Sequence, residues 1–396
     1  MAAETAILVL VVLAALGFCL TNGFHDTGNA MATSIATGAL RPRAAVLLSG
    51  LLNLVGALLS AEVALTAVDA VVPIRGPDGA PRPELVADGG AGLLMVVLSG
   101  LVGGMVWNLL TWLRGLPSSS SHALLGGLAG AALAGPGTAG MDGAWPAGAV
   151  GGVVLPAVVA PVVAGVLAAL GTRLVLRGTA RFTGNGVRWG QIGCASLASL
   201  AHGMNAAPRT AGVITLALVA TGGRHDPGPT PFWVTAACAL TLALGTHLGG
   251  WRIIRTLGRG LVGISAPQGL AAGAAAPAVL LAAGPLGPAL SSTHVATGSI
   301  LGSGVGRPGA RVRWRVALRV VAGWLATLPA AAVVGAGTWW IGHIVGGIDG
   351  ALTIVVLLLL FAASAWLYSR HAPVDHTDVD DERAGVPRRP VPAGSR

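Results

Sequence analysis

The chain has 396 residues, of which 54% are hydrophobic and only 10% charged, with a mean hydropathy of +0.76. A soluble domain carries about 25% charged residues, so a soluble enzyme, a disordered chain and a nucleic-acid-binding domain are excluded. The formal net charge is +9, but the basic residues, all Arg, stand in short clusters between apolar runs, as membrane loops do. Cys19, Cys194 and Cys238 lie far apart inside apolar runs, in neither a metal-ligand nor a disulfide pattern. No resident metal and no cofactor is expected.

A spanning helix needs about 20 apolar residues. Such runs occur at 5–40, 44–72, 91–113, 121–135, 147–172, 190–221, 231–251, 261–284, 287–304, 316–341 and 351–368, which predicts an all-α integral membrane protein. The first run has no basic stretch before it and no cleavage site after it, so it is expected to be a membrane helix, not a removed leader. Runs 5–40 and 190–221 exceed one simple span, and each carries a polar interruption. Runs 121–135 and 287–304 are short and adjoin Ser-rich stretches. Broken helices and re-entrant pieces point to a transporter or channel.

Arg placement sets the expected orientation. Arg41 and Arg43, the Arg173–Arg188 group, the Arg252–Arg259 group, the Arg307–Arg319 group and the tail fall on one side, leaving only Arg75, Arg82 and Arg224 in the opposite loops. By the positive-inside rule the N-terminus is outside and the tail cytoplasmic, in a multi-pass protein of the cell membrane. The segment 91–135 then enters and returns from one face, and 261–304 from the other. Three parts are expected: a first transmembrane repeat over 1–175, a second, inverted one over 176–368, and a polar, Pro-rich, disordered tail over 369–396.

Similarity between the halves supports the inversion. Ser119-Ser120-Ser121-His122 corresponds to Ser291-Ser292-Thr293-His294, with Gly126 and Gly130 matching Gly298 and Gly302. Upstream, Gly23-Phe24-His25-Asp26-Thr27-Gly28-Asn29 corresponds to His202-Gly203-Met204-Asn205-Ala206-Ala207-Pro208. Inverted repeats with broken helices place a substrate site near the midplane, at the repeat interface.

Of the acidic residues only Asp26 and Glu62 lie well inside apolar runs. A charge at the bilayer centre costs at least about 2.5–3.5 kcal/mol, so Asp26 must face protein or water. Gly23 and Gly28 permit an unwound backbone whose carbonyls, with the Asp26 carboxylate, would form a cation site. The plainer alternative is a polar bond between helices. Glu62, nearer a helix end, is a supporting candidate. The two Ser-rich tips suit an oxyanion, because free N–H groups and hydroxyls at a helix start cradle one without Lys or Arg. A simple N-cap is the alternative for either tip alone. His25 is read equally as a proton carrier or a structural donor. His122 and His294 are read as donors that fix their hairpins, and His202 joins them as a supporting residue.

These stretches resemble the inorganic phosphate transporter (PiT) family: Gly23 to Ala30, Trp107-Asn108, Leu116 to His122, Ala201 to Asn205, and Ser291 to His294. The resemblance runs to about residue 368. It implies a secondary transporter, not an enzyme, that imports orthophosphate or a neutral metal–phosphate complex with H+ or Na+. It implies further that Asn29, Asn205, Ser119, Ser120, Ser121, Ser291, Ser292 and Thr293 hold the anion, while Asp26, beside His25, binds the coupling cation. The chain departs from the pattern at Ala206, where the family usually has Asp, at Pro208, where it commonly has Gln, and near Gly273, where an acidic residue is lacking, while Arg209 stands where the pattern commonly has a basic or amide residue. Arg209 is expected to supply a fixed positive charge where a cation would otherwise sit. A permease for sulfate or another oxyanion, and a degenerate non-transporting member, stay open. The expected partners are phosphate and the lipid bilayer, not nucleic acid. Homo-oligomer formation is left open.

Overall fold

The computed structural model describes residues 2–60, 89–135, 150–178, 184–222, 229–283 and 290–379. Twelve α-helices of five residues or more carry the fold among them: α1 (Ala2–Ala36), α2 (Pro42–Leu59), α3 (Ala91–Leu113), α4 (Ser120–Ala134), α5 (Leu155–Arg177), α6 (Gly184–Ala220), α7 (Phe232–Leu248), α8 (Trp251–Arg255), α9 (Ala266–Ala283), α10 (Ser292–Gly306), α11 (Trp314–Val345) and α12 (Gly347–Ser369), with π-helical turns at Val150–Val154 and Thr256–Gly260. Seven are long and apolar enough to cross a membrane, or eight spans if α7 and the segment Trp251–Gly260 are one, bent by 59°.

Local sequence explains the turns that matter. After α3, Gly115 takes a left-handed φ of 59°. The Leu116 N–H reaches back to the Thr111 carbonyl and the Gly115 N–H to that of Trp112. This is a Schellman ending, and Pro117 bars further helix. The chain restarts at α4 with Ser119 as N-cap, its side chain accepting from the His122 N–H at 3.3 Å. Ser291 repeats this for α10, accepting from the His294 N–H at 3.2 Å. Both short apolar runs are therefore helices begun by a Ser N-cap, as expected.

The two halves pack as pseudo-symmetric copies, and close glycine contacts fix the correspondence residue by residue. A Cβ on Gly23 would lie 2.3 Å from the Leu242 carbonyl oxygen of α7, and one on Gly203 would lie 2.2 Å from that of Asn53 in α2. Gly245 abuts the Leu20 carbonyl as Gly56 abuts that of Leu200. So α1 pairs with α7 as α6 pairs with α2. In the same way Gly126 and Gly130 of α4 lie on Leu328 and Ala332 of α11, while Gly298 and Gly302 of α10 lie on Pro161 and Gly165 of α5. Each hairpin, α3–α4 and α9–α10, thus seats on a long helix from the opposite half. Helix α12 has no counterpart among the described residues and packs on α1, α3 and α11. The helices α5, α11 and α12 carry many exposed Val and Leu, whereas α3 is mostly buried. That is the division between a lipid-facing rim and an interior.

Three expectations need correction or fall elsewhere. The backbone is not unwound at the polar interruptions: α1 runs unbroken through Gly23–Asn29, and α6 through His202–Pro208. The glycines serve close helix packing instead. The broken span is the one between Leu248 and Trp251. The tail is not disordered from its start, since residues up to Val379 pack back on the bundle. Arg252 donates to the carbonyls of Leu113 at 3.2 Å and Ser369 at 3.0 Å and also reaches that of Ala372, and Val379 is buried. Glu62 and residues 380–396 lie outside the described residues.

Candidate functional site

The N-terminal tips of α4 and α10 meet beside the middle of α1, and Asp26 stands where they meet. Its Oδ1 accepts from Ser120 Oγ at 3.2 Å, contacts His25 Nδ1 at 3.0 Å, and lies 3.4 Å from Thr293 Oγ1. One hydroxyl from each hairpin therefore reaches the same carboxylate oxygen. The single Thr293 hydroxyl proton is shared between Asp26 and the Ser118 carbonyl, 3.0 Å away. Asn29, one turn further along α1, donates from Nδ2 to Thr293 Oγ1 at 2.9 Å and to Ser292 Oγ at 3.4 Å. Its own Oδ1 is buried with no partner. Asp26 is 4% exposed, so this is an interior charge solvated by hydroxyls.

Proton placement around His25 can be reasoned through. Thr111 Oγ1 donates to its own helix at the Trp107 carbonyl, 2.8 Å away, and accepts from Ser118 Oγ at 3.0 Å. With that hydroxyl turned to Trp107, His25 Nε2, 3.0 Å away, donates to it, and the opposite tautomer reverses the contact. His25 Nδ1 faces Asp26 Oδ1 at 3.0 Å, so the ring bridges the Thr111 hydroxyl and the carboxylate.

On the α6 side, His202 Nδ1 lies 3.4 Å from Ser292 Oγ. Arg209 donates one guanidinium N–H to Ser121 Oγ and another to the Leu290 carbonyl at 3.3 Å. His122 and His294 meet edge to face with centroids 5.0 Å apart. His294 also stacks on Trp324 at 4.1 Å and donates from Nδ1 to the Ala157 carbonyl at 3.2 Å. Ser119 and Ser291 are the N-caps. Asn205 is the exception, since its Nδ2 donates to the Ala201 carbonyl of its own helix at 2.7 Å.

Sequence reading missed Thr111, Trp324 and the carbonyls of Ser118 and Leu290. Thr111 lies three residues beyond the Trp107-Asn108 stretch, one helical turn along the same face, and that spacing was the available signal. Trp324 lies outside every motif of the sequence, yet its Nε1 donates to the Pro117 carbonyl at 3.2 Å in the loop before α4. The carbonyls carry no sequence signal.

The sequence pattern of the "Phosphate transporter family" matches residues 22–183 and again 177–335, so both halves carry it. The chain belongs to the phosphate transporter family. A curated member from Mycobacterium bovis, described as "Probable low-affinity inorganic phosphate transporter", is 51% identical over 98% of this chain and 90% of its own length. One from Bacillus subtilis with the same description is 36% identical over 84% of this chain and 96% of its own. Among solved structures, "The sodium-dependent phosphate transporter" superposes with a TM-score of 0.71 at 21% identity, over 86% of this chain and all of that one. At that identity the likeness establishes the fold, which is an all-helical, multi-pass membrane architecture. The α1 side of the site carries the Asp26 carboxylate, and the α6 side carries Ala206 and Arg209.

Proposed function

We propose that this chain is a symporter that carries inorganic phosphate inward across the cell membrane together with a cation, H+ or Na+. The observation that carries the reading is the convergence of Ser120 and Thr293, from opposite hairpins, on Asp26. Two helix N-termini with free N–H groups, flanked by Ser119–Ser121 and Ser291–Thr293, suit a tetrahedral oxyanion. Asn29 joins them from α1. Bound phosphate would take up the hydroxyl protons that now point at Asp26 and release that carboxylate for a cation. Cation and anion would then be bound through shared groups, which is the thermodynamic requirement of coupling.

The Arg clusters support an outside N-terminus and a cytoplasmic tail, so phosphate would enter between the tips from outside. Rocking of the pseudo-symmetric halves around the fixed site would turn it inward. The reading is tested with labelled phosphate in proteoliposomes under imposed H+ or Na+ gradients, with and without Mg2+ and with sulfate as competitor. Uptake that follows one gradient and disappears in Asp26→Asn is expected, and it names the ion. Equal uptake by Asp26→Asn, or preference for sulfate, would overturn it.

A further inference from the structure

The pseudo-symmetry pairs the two motif helices residue by residue. Leu20 corresponds to Leu200 and Gly23 to Gly203, because each pair makes the same backbone contact on the opposite helix. The same step along the chain carries Asp26 to Ala206 and Asn29 to Arg209. Likewise Ser121 and Thr293 are equivalent, each two residues past its N-cap Ser. Asn29 donates to Thr293, and Arg209 donates to Ser121. Arg209 therefore makes, at the first tip, the contact that Asn29 makes at the second. The substitution is one of charge within a kept geometry: a carboxylate and an amide on the α1 side face a methyl and a guanidinium on the α6 side.

Arg209 is 9% exposed. Its donors are given only to neutral oxygens, Ser121 Oγ and the Leu290 carbonyl, and among the described residues no carboxylate forms an ion pair with it. Asp26 acts on it through space, without a direct contact, and a buried charge so incompletely paired is costly, the more so at an interior membrane position. Such a charge suits a site whose counter-ion comes and goes. The orphaned Asn29 Oδ1 and His202 Nε2 border the same tips, so polar groups there await a ligand.

We propose that Arg209 is a tethered counter-ion of the anion site. It contacts the bound phosphate directly, and it stands where a second carried cation would sit if the α6 side kept a carboxylate like Asp26. The site then loads one mobile cation, at Asp26, and its second positive charge never leaves the protein. Ala206 completes the arrangement, since a carboxylate there would pair with Arg209 and withdraw it from phosphate. The inference rests on the phosphate reading above.

The test measures cations moved per phosphate, from the membrane potential at which flux vanishes in proteoliposomes, for the unaltered chain and three variants. Arg209→Lys keeps the charge and is expected to keep the stoichiometry. Arg209→Gln is expected to raise the phosphate KM about ten- to hundredfold, the equivalent of one charged hydrogen bond, with the cation dependence unchanged. The pair Ala206→Asp with Arg209→Asn rebuilds the α1-side chemistry on α6. It is expected to move one more cation per phosphate and to make uptake cooperative in the cation. A merely structural role for Arg209 would not change stoichiometry. Unchanged stoichiometry in the folded double variant, or an unchanged phosphate KM in Arg209→Gln, overturns the inference alone. Should the double variant not fold, Arg209→Gln against Arg209→Lys decides. No phosphate uptake by the unaltered chain overturns the proposed function and the inference with it.

Discussion

His122 and His294 occupy equivalent positions in the two halves and touch each other, ring centroids 5.0 Å apart and planes 70° from parallel. Each is the third residue after its N-cap Ser, so the contact joins the two hairpin tips across the pseudo-twofold relation. His294 also stacks on Trp324 and donates to the Ala157 carbonyl. His294→Ala removes a ring stack and a hydrogen bond, together about 2 kcal/mol. It is expected to lower thermal stability in detergent and to weaken phosphate binding several-fold. His294→Asn, which keeps a donor toward Ala157, should recover part of the stability. Equal melting of both variants with the unaltered chain would rule out the hairpin-fixing role.

Glycine contacts give a sharper prediction about folding. A Cβ on Gly130 or Gly302 would sit 2.0 Å from the carbonyl oxygen of Ala332 or Gly165. Backbone cannot yield as a side chain can, so the helices would have to separate. Gly130→Ala and Gly302→Ala are each expected to cost at least about 3 kcal/mol, the upper range for overpacking, and to cut the yield of monodisperse protein sharply. Gly337, on the exposed part of α11, has nothing near a Cβ. Gly337→Ala should be neutral or slightly stabilising, as helix propensity dictates. Melting curves for the three variants side by side check the contrast.

Much of this architecture was legible in the chain. Apolar run lengths marked the helices, and the Ser-His tetrads marked both tips, because a Ser N-cap after Pro or Gly is a local signal. The error at Gly23–Asn29 and His202–Pro208 has a physical cause. Glycine beside polar residues signals either a loosened backbone or a close helix crossing, and only the partner helix decides between them. Here α7 and α2 press their carbonyls onto Gly23 and Gly203, which demands an intact helix. The equivalence of Arg209 and Asn29 follows from the register of α1 and α6 against the other half, which the contacts at Gly23 and Gly203 fix.

The tail contact can be tested by proteolysis. Arg252 ties the end of α3 to residues 369–372 through three backbone carbonyls, and its guanidinium lies 5.7 Å from the Trp112 ring centre. Arg252→Gln loses the cation–π contact and most of the fork, about 1–3 kcal/mol in all. Limited proteolysis of the purified protein should then cut within residues 370–379 several-fold faster, with the helical core intact. Identical cleavage rates would show that other contacts hold the segment.

Thr111 gives the most direct test of His25 in the coupling step. Its hydroxyl lies 3.0 Å from His25 Nε2 and accepts from Ser118, while His25 Nδ1 faces Asp26. Thr111→Val keeps the shape and removes the hydroxyl, so buried polar groups lose their partner at about 1–3 kcal/mol. With Nε2 no longer held by Thr111, the tautomer of the ring is set by Asp26 alone. For an H+-coupled cycle the variant is expected to shift the pH dependence of uptake and to slow it about tenfold. For a Na+-coupled cycle the sodium dependence should survive with a smaller loss of rate. Thr111→Ser, which restores the hydroxyl, is expected to recover the original pH profile. A pH profile unmoved in Thr111→Val, in protein that still takes up phosphate against a proton gradient, would disconnect His25 from the coupling step.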